Sequence, residues 1–346
     1  MAASAVTIFI HILKSIIMPK SPFAGPKKLS MQRRAEWHDY HSPTIYMITI
    51  TIAGRRPVLG TVTGNPHIPW GQEGAPKIQP TQTGGWVLDA WETIPSYYPQ
   101  IRLISRQMMP DHFHGILYVT EKTDYHLSKV ILGFKTAVVA KIRQQYRKQG
   151  LPTDGIKLWE DNYQVTILSG KGHLDRMIAY VRDNPRRLLM KRQNPELFRV
   201  RRQQNISGYS FDALGNIFLI DKPYKVQVQL SRSITEEQNI SIEVERFVSM
   251  AEKGAVLVSP GISPAEKAVL RAAYERKLPV ISLLENGFGD FAKPGGAFFD
   301  ACAEGRILFL APWEHHNERR RITRSQCLML NEMAAAICRY SPYSSG

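Results

Sequence analysis

The sequence predicts a mixed α and β chain in two unlike halves, the second of them a small α/β sheet. Three observations carry this. At 346 residues the chain is long enough for about two domains of roughly 150 residues each. Its strand and helix signals come in irregular order before about Asn205 and in βαβ order after it. Its charge divides at the same place: residues 1–204 hold 29 basic and 14 acidic side chains, and residues 205–346 hold 16 of each. The net charge of +15 therefore lies in the first half and points to a polyanionic partner there. With 43% apolar, 10% aromatic and 22% charged residues the chain has material for two cores, and wholesale disorder is excluded.

Val6–Met18 is apolar but too short to span a bilayer, carries His11 and Lys14, and is followed by a poor signal-peptidase exit. Cytoplasmic residence is expected, and a start at Met18 or Met31 would remove the segment altogether. Cys302, Cys327 and Cys338 make neither a disulfide framework nor a C-x2-C knuckle, in keeping with a reducing compartment. Residues 1–43 are expected to be a basic flexible arm, of which 19–43 are rich in proline, lysine and serine, with folding from about Thr44. Tyr46–Ile52 alternates as a strand does, and Gly54–Pro57 ends it. The glycine- and proline-rich stretch 61–85 reads as a long loop. Val87–Ile94 suits a helix, and Ile101–Gln107 and Phe113–Val119 suit strands on either side of Pro110-Asp111. Leu127–Arg143, apolar at 127, 130, 131, 134, 138 and 142, is an amphipathic helix with a basic outer face.

In the half spanning 205–346, Ile217–Ile220 and Lys225–Leu230 read as short strands and Val244–Glu252 as a helix. Ala255–Ser259, Pro264–Arg276 opened by Ser263, and Pro279–Leu284 then form a βαβ unit, with Ile307–Ala311 a further strand and Ser325–Arg339 the closing helix.

Chemistry concentrates in two segments of the first half, 44–204. On a strand, residues two apart share a face, so His112 and His114 can address one point while Phe113 turns into the core. Two imidazoles so placed make half of a divalent-metal site, and the plainer reading is a pair of surface histidines at a turn. In Lys171–Arg187 the core stripe of a helix is taken by Leu174, Met177, Ile178 and Val181. Tyr180 lies off that stripe with Asn184 four residues on and Arg176 four residues back, on a helix that Pro185 is expected to stop. Taken alone, Tyr180 also fits a half-buried packing tyrosine.

Five segments in order resemble the single-tyrosine HUH transposases, and within them the REP-associated tyrosine transposases. They are Met47–Ile52, Met109–Leu117 with its Pro-Asp-His-Phe-His run, Leu127–Lys135, Leu158–Tyr163 and Ala179–Pro185, covering roughly residues 32–190. The resemblance implies an α+β fold with a ferredoxin-like antiparallel sheet. It implies His112 and His114 as metal ligands, Asn184 as the third, and Tyr180 as the nucleophile. It implies a transposase that cuts and rejoins single-stranded, hairpin-containing DNA through a 5′-phosphotyrosine, with a homodimer as an allowed assembly. A phenol of pKa near 10 is a poor nucleophile at neutral pH, so a metal that neutralises the phosphate suits the chemistry. Mg²⁺ or Mn²⁺ fits these donors, Mn²⁺ the better for two imidazoles, and zinc fits them too. Two rivals stay open: a protein that binds a DNA hairpin without cutting it, and a replication-initiator or relaxase nickase of the same chemistry.

Lys129 and Lys135 on one helix and Arg176, Arg182, Arg186 and Arg187 on the other are the expected DNA-binding residues, against the reading of solvated charge. Trp159 and Tyr163 could stack on unpaired bases or sit in the core. The second half resembles the Rossmann-like domain of the DNA-processing protein A family, from Gly254–Ser263 to Arg319–Arg324. Its Ser259–Ser263 loop is either a phosphate cradle for a nucleotide or DNA ligand or a tight structural turn. His315 and His316 are adjacent and are expected to diverge rather than share a metal.

Overall fold

The computed structural model describes residue 35 and residues 37–290, 292–296, 298–318 and 320–340. Val6–Met18 and the part of the expected arm up to residue 34 lie outside the described residues. In Trp37–Pro43, read as the end of that arm, His38 and Tyr40 instead pack on Tyr46 of the first strand. Tyr40 is buried and stacked on Tyr46, and His38 Nε2 lies 2.7 Å from the Tyr46 hydroxyl.

The chain runs through β1 (Thr44–Ile52), β2 (Gly60–Thr63), β3 (Lys77–Pro80), α1 (Gln82–Glu92), α2 (Ile94–Tyr97), β4 (Ile101–Met108), β5 (His112–Val119), α3 (Leu127–Lys148), β6 (Trp159–Ile167) and α4 (His173–Gln193). The first sheet has the order β4-β5-β1-β6 with every neighbour antiparallel. That is the strand order of a ferredoxin-like α+β core. The stretch expected as a long loop contains a ribbon, with Gly60–Thr63 paired to Lys77–Pro80. Its strands are four residues each, too short for a periodic signal among the glycines and prolines.

The alternation in β1 and β5 assigns the two faces of this sheet. Ile48, Ile50, Ile52, Phe113 and Leu117 meet Trp91 of α1 and Phe134 and Val138 of α3 in the main core. Gly115 shares that face because Trp91 leaves no room for a side chain: a Cβ there would lie 2.3 Å from the indole. On the opposite face Met47, Ile116 and Leu168 meet Leu174, Met177, Ile178 and Val181 of α4, the expected stripe.

Pro185 does not stop α4, which continues to Gln193. Proline removes the N–H that would bond the carbonyl four residues back. The Asn184 side-chain amide donates to that carbonyl, Val181 O, at 3.4 Å and to Tyr180 O at 3.0 Å, which keeps the turn satisfied.

The second half adds β7 (Arg201–Ile206), β8 (Tyr209–Gly215), β9 (Lys225–Gln227), α5 (Glu237–Glu252), β10 (Val256–Ser259), α6 (Pro264–Glu275), β11 (Val280–Leu283), α7 (Phe298–Ala303), β12 (Ile307–Ala311) and α8 (Arg324–Arg339). Its sheet has the order β7-β8-β12-β11-β10-β9; β9 to β12 are parallel, and β8 joins β12 antiparallel. This is the α/β class expected. Ile217–Leu219 is a 3₁₀ turn rather than a strand, because the Asn216 side chain accepts from Phe218 N and caps it. Phe198 stacks on Phe299 at 4.7 Å with Met190 of α4 beside them, so α4 and the second half share a small apolar cluster. Among the described residues, no helix is long and apolar enough to cross a membrane.

Candidate active site

The face of the first sheet that receives α4 is divided. Its upper part is the apolar contact just described. Its lower part is polar, since β1 sets Thr49 opposite His114 and Thr51 opposite His112, and β6 sets Gln164 opposite Thr49. The apolar contact fixes α4 across the sheet and so fixes where Tyr180 falls. Its ring lies 6.1 Å, centroid to centroid, from that of His114, and it is 38% exposed.

The two imidazoles converge, with His112 Nε2 3.1 Å from His114 Nε2 and the rings edge-on. Phe113 between them is fully buried on the other face. Each outer nitrogen has its own partner: His112 Nδ1 meets Asp111 Oδ1 at 2.6 Å, and His114 Nδ1 meets Thr49 Oγ1 at 2.8 Å. Arg55 pairs with Asp111 at 3.3 Å. Burial, with the charges of His112 and Arg55 adding to it, pushes the His114 pKa down to about 3. Burial alone would raise the Asp111 carboxyl, but the hydrogen bond and charge of His112 and the charge of Arg55 prevail and hold it below the usual carboxylate range.

These contacts test the metal reading. A His112 Nδ1–H donated to Asp111 leaves a lone pair on its Nε2, and a His114 Nδ1–H donated to Thr49 does the same there. Two lone pairs 3.1 Å apart repel unless a proton or a cation lies between them. Among the described residues no group of three or more His, Cys, Asp or Glu side chains could hold a metal, so further ligands would come from amide or hydroxyl oxygens of the chain, from water or from phosphate. Beside the pair opens a polar cavity of about 510 Å³ lined by Thr49, Thr51, Arg55, Asn162 and Gln164 among others. The donors fit a divalent ion that keeps oxygen ligands from water or phosphate.

The other expected residues are brought to this site unevenly. The Asn184 side chain lies one turn beyond Tyr180, with its amide nitrogen on its own helix. Arg187 comes close: its guanidinium lies 5.8 Å from the Tyr180 ring, bonds Asp183 at 2.6 Å and sits 4.5 Å over Phe299. Arg186 is held by Asp183 and, at 2.7 Å, by Asp300 of the second half. Arg182 lies 4.8 Å over the ring of Trp70. Arg176 reaches back to Lys171 O near the start of α4. Lys129 and Lys135 are on α3, across the sheet from the tyrosine, and Lys135 Nζ donates to Glu160 O at 2.7 Å. Trp159 is not a stacking platform: it is 5% exposed in the main core, and its indole N–H bonds Lys135 O. Tyr163 stands in register with buried Ile50 and packs against that core, and it also contributes to the lining of the polar cavity beside the histidines.

In the second half the Ser259–Ser263 loop is a tight structural turn, one of the two readings open for it. Ile262 N and Ser263 N both donate to Glu266 Oε2, and Gly261 N donates to Ser259 Oγ. A buried carboxylate already sits where an anion would. His315 and His316 diverge as expected, their Nδ1 atoms meeting Gly287 O and Glu318 O respectively. Arg319 lies outside the described residues.

Residues 96–184 match the IS200-like transposase family. The family's description is "Transposase IS200 like", and the matched segment contains His112, His114, Tyr180 and Asn184. It agrees with the five-motif resemblance. A relative in Haemophilus influenzae (strain ATCC 51907 / DSM 11121 / KW20 / Rd), an uncharacterized protein, is 22% identical over 172 residues, covering 44% of this chain and 86% of the relative. A REP-associated tyrosine transposase bound to a REP hairpin is 14% identical with a TM-score of 0.28, covering 44% of this chain and 73% of that one. DNA processing protein A from Helicobacter pylori is 16% identical with a TM-score of 0.30, covering 40% and 65%.

Sequence reasoning missed Thr49, Asp111 and Arg55. Thr49 was legible as the polar phase of the Thr-Ile alternation, and Asp111 as a carboxylate beside a histidine; only Arg55 gave no local signal.

Proposed function

We propose that this transposase-like chain nicks and rejoins single-stranded DNA, with Tyr180 as nucleophile and a divalent metal held by His112 and His114. The observation that carries the reading is the convergence of two Nε2 atoms at 3.1 Å beneath a partly exposed tyrosine on the facing helix. A protein that only bound hairpins would need neither.

In the proposed step the Tyr180 oxygen bonds to phosphorus and the bond from phosphorus to the 3′-oxygen breaks. The phenol proton passes to solvent, and the leaving 3′-oxygen takes one up. The products are a 5′-phosphotyrosine and a free 3′-hydroxyl, and the reverse attack by another 3′-hydroxyl rejoins a strand without ATP. Mg²⁺ or Mn²⁺, held by the two imidazoles with the Asn184 amide oxygen as a further ligand, would neutralise phosphate charge. Asp111 and Thr49 orient the rings, and burial keeps His114 neutral, so its lone pair is available. The compartment is then the one that holds DNA, the cytoplasm.

The test is covalent capture. Labelled single strands from the sequence flanking the gene, with Mn²⁺, should give a protein–DNA adduct that Tyr180→Phe abolishes without loss of binding. Adduct formation that survives Tyr180→Phe but not Tyr163→Phe would reassign the nucleophile, and binding without any adduct would favour the hairpin binder.

A further inference from the structure

The ribbon between β1 and α1 plays no part in the reaction as proposed, yet its tip lies against the helix that carries Tyr180. Both β2 and β3 touch α4. The tip is built rather than loose. Asn65 N bonds Gly74 O, Ile68 N bonds Asn65 O, Gln72 N bonds Pro69 O and Ala75 N bonds Gln72 O, and the Asn65 side chain accepts from His67 N. Pro66, Pro69 and Pro76 restrict the backbone further.

This frame holds Trp70 outward, 67% exposed, so that most of a large aromatic surface faces solvent. One face of the ring is covered by the Arg182 guanidinium at 4.8 Å. Arg182 is two residues from Tyr180 on the same helix, about 200° around its axis, so the two side chains leave α4 on different sides. Between the tip and α4 a cavity of about 360 Å³ is lined by Ile68, Pro69, Trp70, Pro76, Ala179 and Arg182 among others. An exposed aromatic plane braced by a cation, beside an open slot, has the parts of a stacking platform for unpaired nucleic acid: the ring takes a base, and the guanidinium takes the adjoining phosphate.

We infer that Trp70 stacks on an unpaired base of the DNA strand that the chain binds, with Arg182 as its phosphate partner, so that the ribbon tip holds the strand against α4. The inference rests on the proposed DNA-nicking function for its ligand. Stacking is indifferent to base identity, so the platform would hold the strand without reading its sequence.

The test uses the full chain and fluorescein-labelled oligothymidylate, with affinity read by anisotropy over a range of salt. Trp70→Ala should weaken binding roughly 5- to 150-fold with the salt slope unchanged, and Trp70→Phe should keep most of the affinity. Arg182→Ala should flatten the slope by about one unit, because one phosphate contact is lost. Oligothymidylate carrying 5-iododeoxyuridine should photocrosslink to the peptide containing Trp70. Affinity of Trp70→Ala within twofold of the wild type, or crosslinks only elsewhere, would overturn the inference. A lowered melting temperature with unchanged binding would do the same, showing that the ring merely staples the ribbon to α4. A Trp70 crosslink and lost affinity with no covalent adduct on any flanking strand would leave the platform standing and refute the nicking reading. An adduct with normal Trp70→Ala binding would do the reverse, and no binding by the full chain would overturn both.

Discussion

Replacing Gly115 with alanine puts one methyl group at the point where the core and the histidine face are joined. The new Cβ would lie 2.3 Å from Trp91 Cη2 and Cζ2 and 2.9 Å from Cζ3. Carbon atoms rest at about 3.5–4.0 Å, so something must move by about 1.5 Å. Trp91 has little freedom to do so: it is fully buried, 4.9 Å from Phe113 and 5.6 Å from Phe134 by ring centroids. β5 must give as well, and His114 is the adjoining residue. Overpacking of this kind costs about 1–3 kcal/mol, and a rigid aromatic wall puts Gly115→Ala near the upper end, a fall of roughly 5–10 °C in melting temperature for a body of about 150 residues. A shift of about 1 Å in the imidazole pair would also cost on the order of 10²-fold in adduct formation.

The check is a cycle. Trp91→Leu alone should destabilise by opening space, but in combination with Gly115→Ala the two costs should fall short of their sum by about 1–3 kcal/mol, since each relieves the other. Thermal and denaturant unfolding measure the first quantity, and initial adduct rates with labelled strand measure the second. Gly115→Ala melting within a degree of the wild type, or strict additivity with Trp91→Leu, would refute the claim that this glycine exists to admit the indole.

Two further outcomes follow from the same geometry. Asp111→Ala should lower Mn²⁺ affinity about 10- to 100-fold, because His112 loses its orienting partner and Arg55 is left uncompensated nearby; titration of free Mn²⁺ by electron paramagnetic resonance reads this directly, and an unchanged affinity would remove Asp111 from the site. In metal-free protein, stability should fall as pH falls from 6.5 towards 3, since unfolded histidine takes up a proton in this window while His114 in the fold stays neutral down to about 3. By pH 5 the loss is about 2 kcal/mol, and His114→Gln in chelator should flatten that part of the profile; an equal slope in the two proteins would mean that His114 does not stay neutral in the fold.

How much of this was legible in the sequence depends on the range over which each signal acts. His112 and His114 fall on one face because strand period is local, and Tyr180 clears the core stripe of α4 because helix period is local too. Pro185 misled for the same reason: its local meaning is a stop, and the compensating amide of Asn184 is a matter of rotamer. Arg55 could not be read at all, since it meets Asp111 only when β1 and β5 pair. The ribbon escaped notice because two four-residue strands identify themselves by pairing with each other, not by pattern.

Charge was the signal most distorted by distance. A count of basic residues treats Arg186, Arg187 and Lys135 alike as available to phosphate. In the fold Arg186 is taken by Asp183 and by Asp300, 114 positions away; Arg187 is taken by Asp183, and Lys135 by the backbone of β6. Such guanidinium–carboxylate pairs consume positive charge to tie α4 to the second half, and they hold Arg187 beside the Tyr180 ring. The excess of the first half is therefore divided between two tasks, fixing the helix that carries the tyrosine and meeting the polyanion. Composition reports only their total, and which side chains serve the second task is settled by which partners, in either half, come to rest beside them.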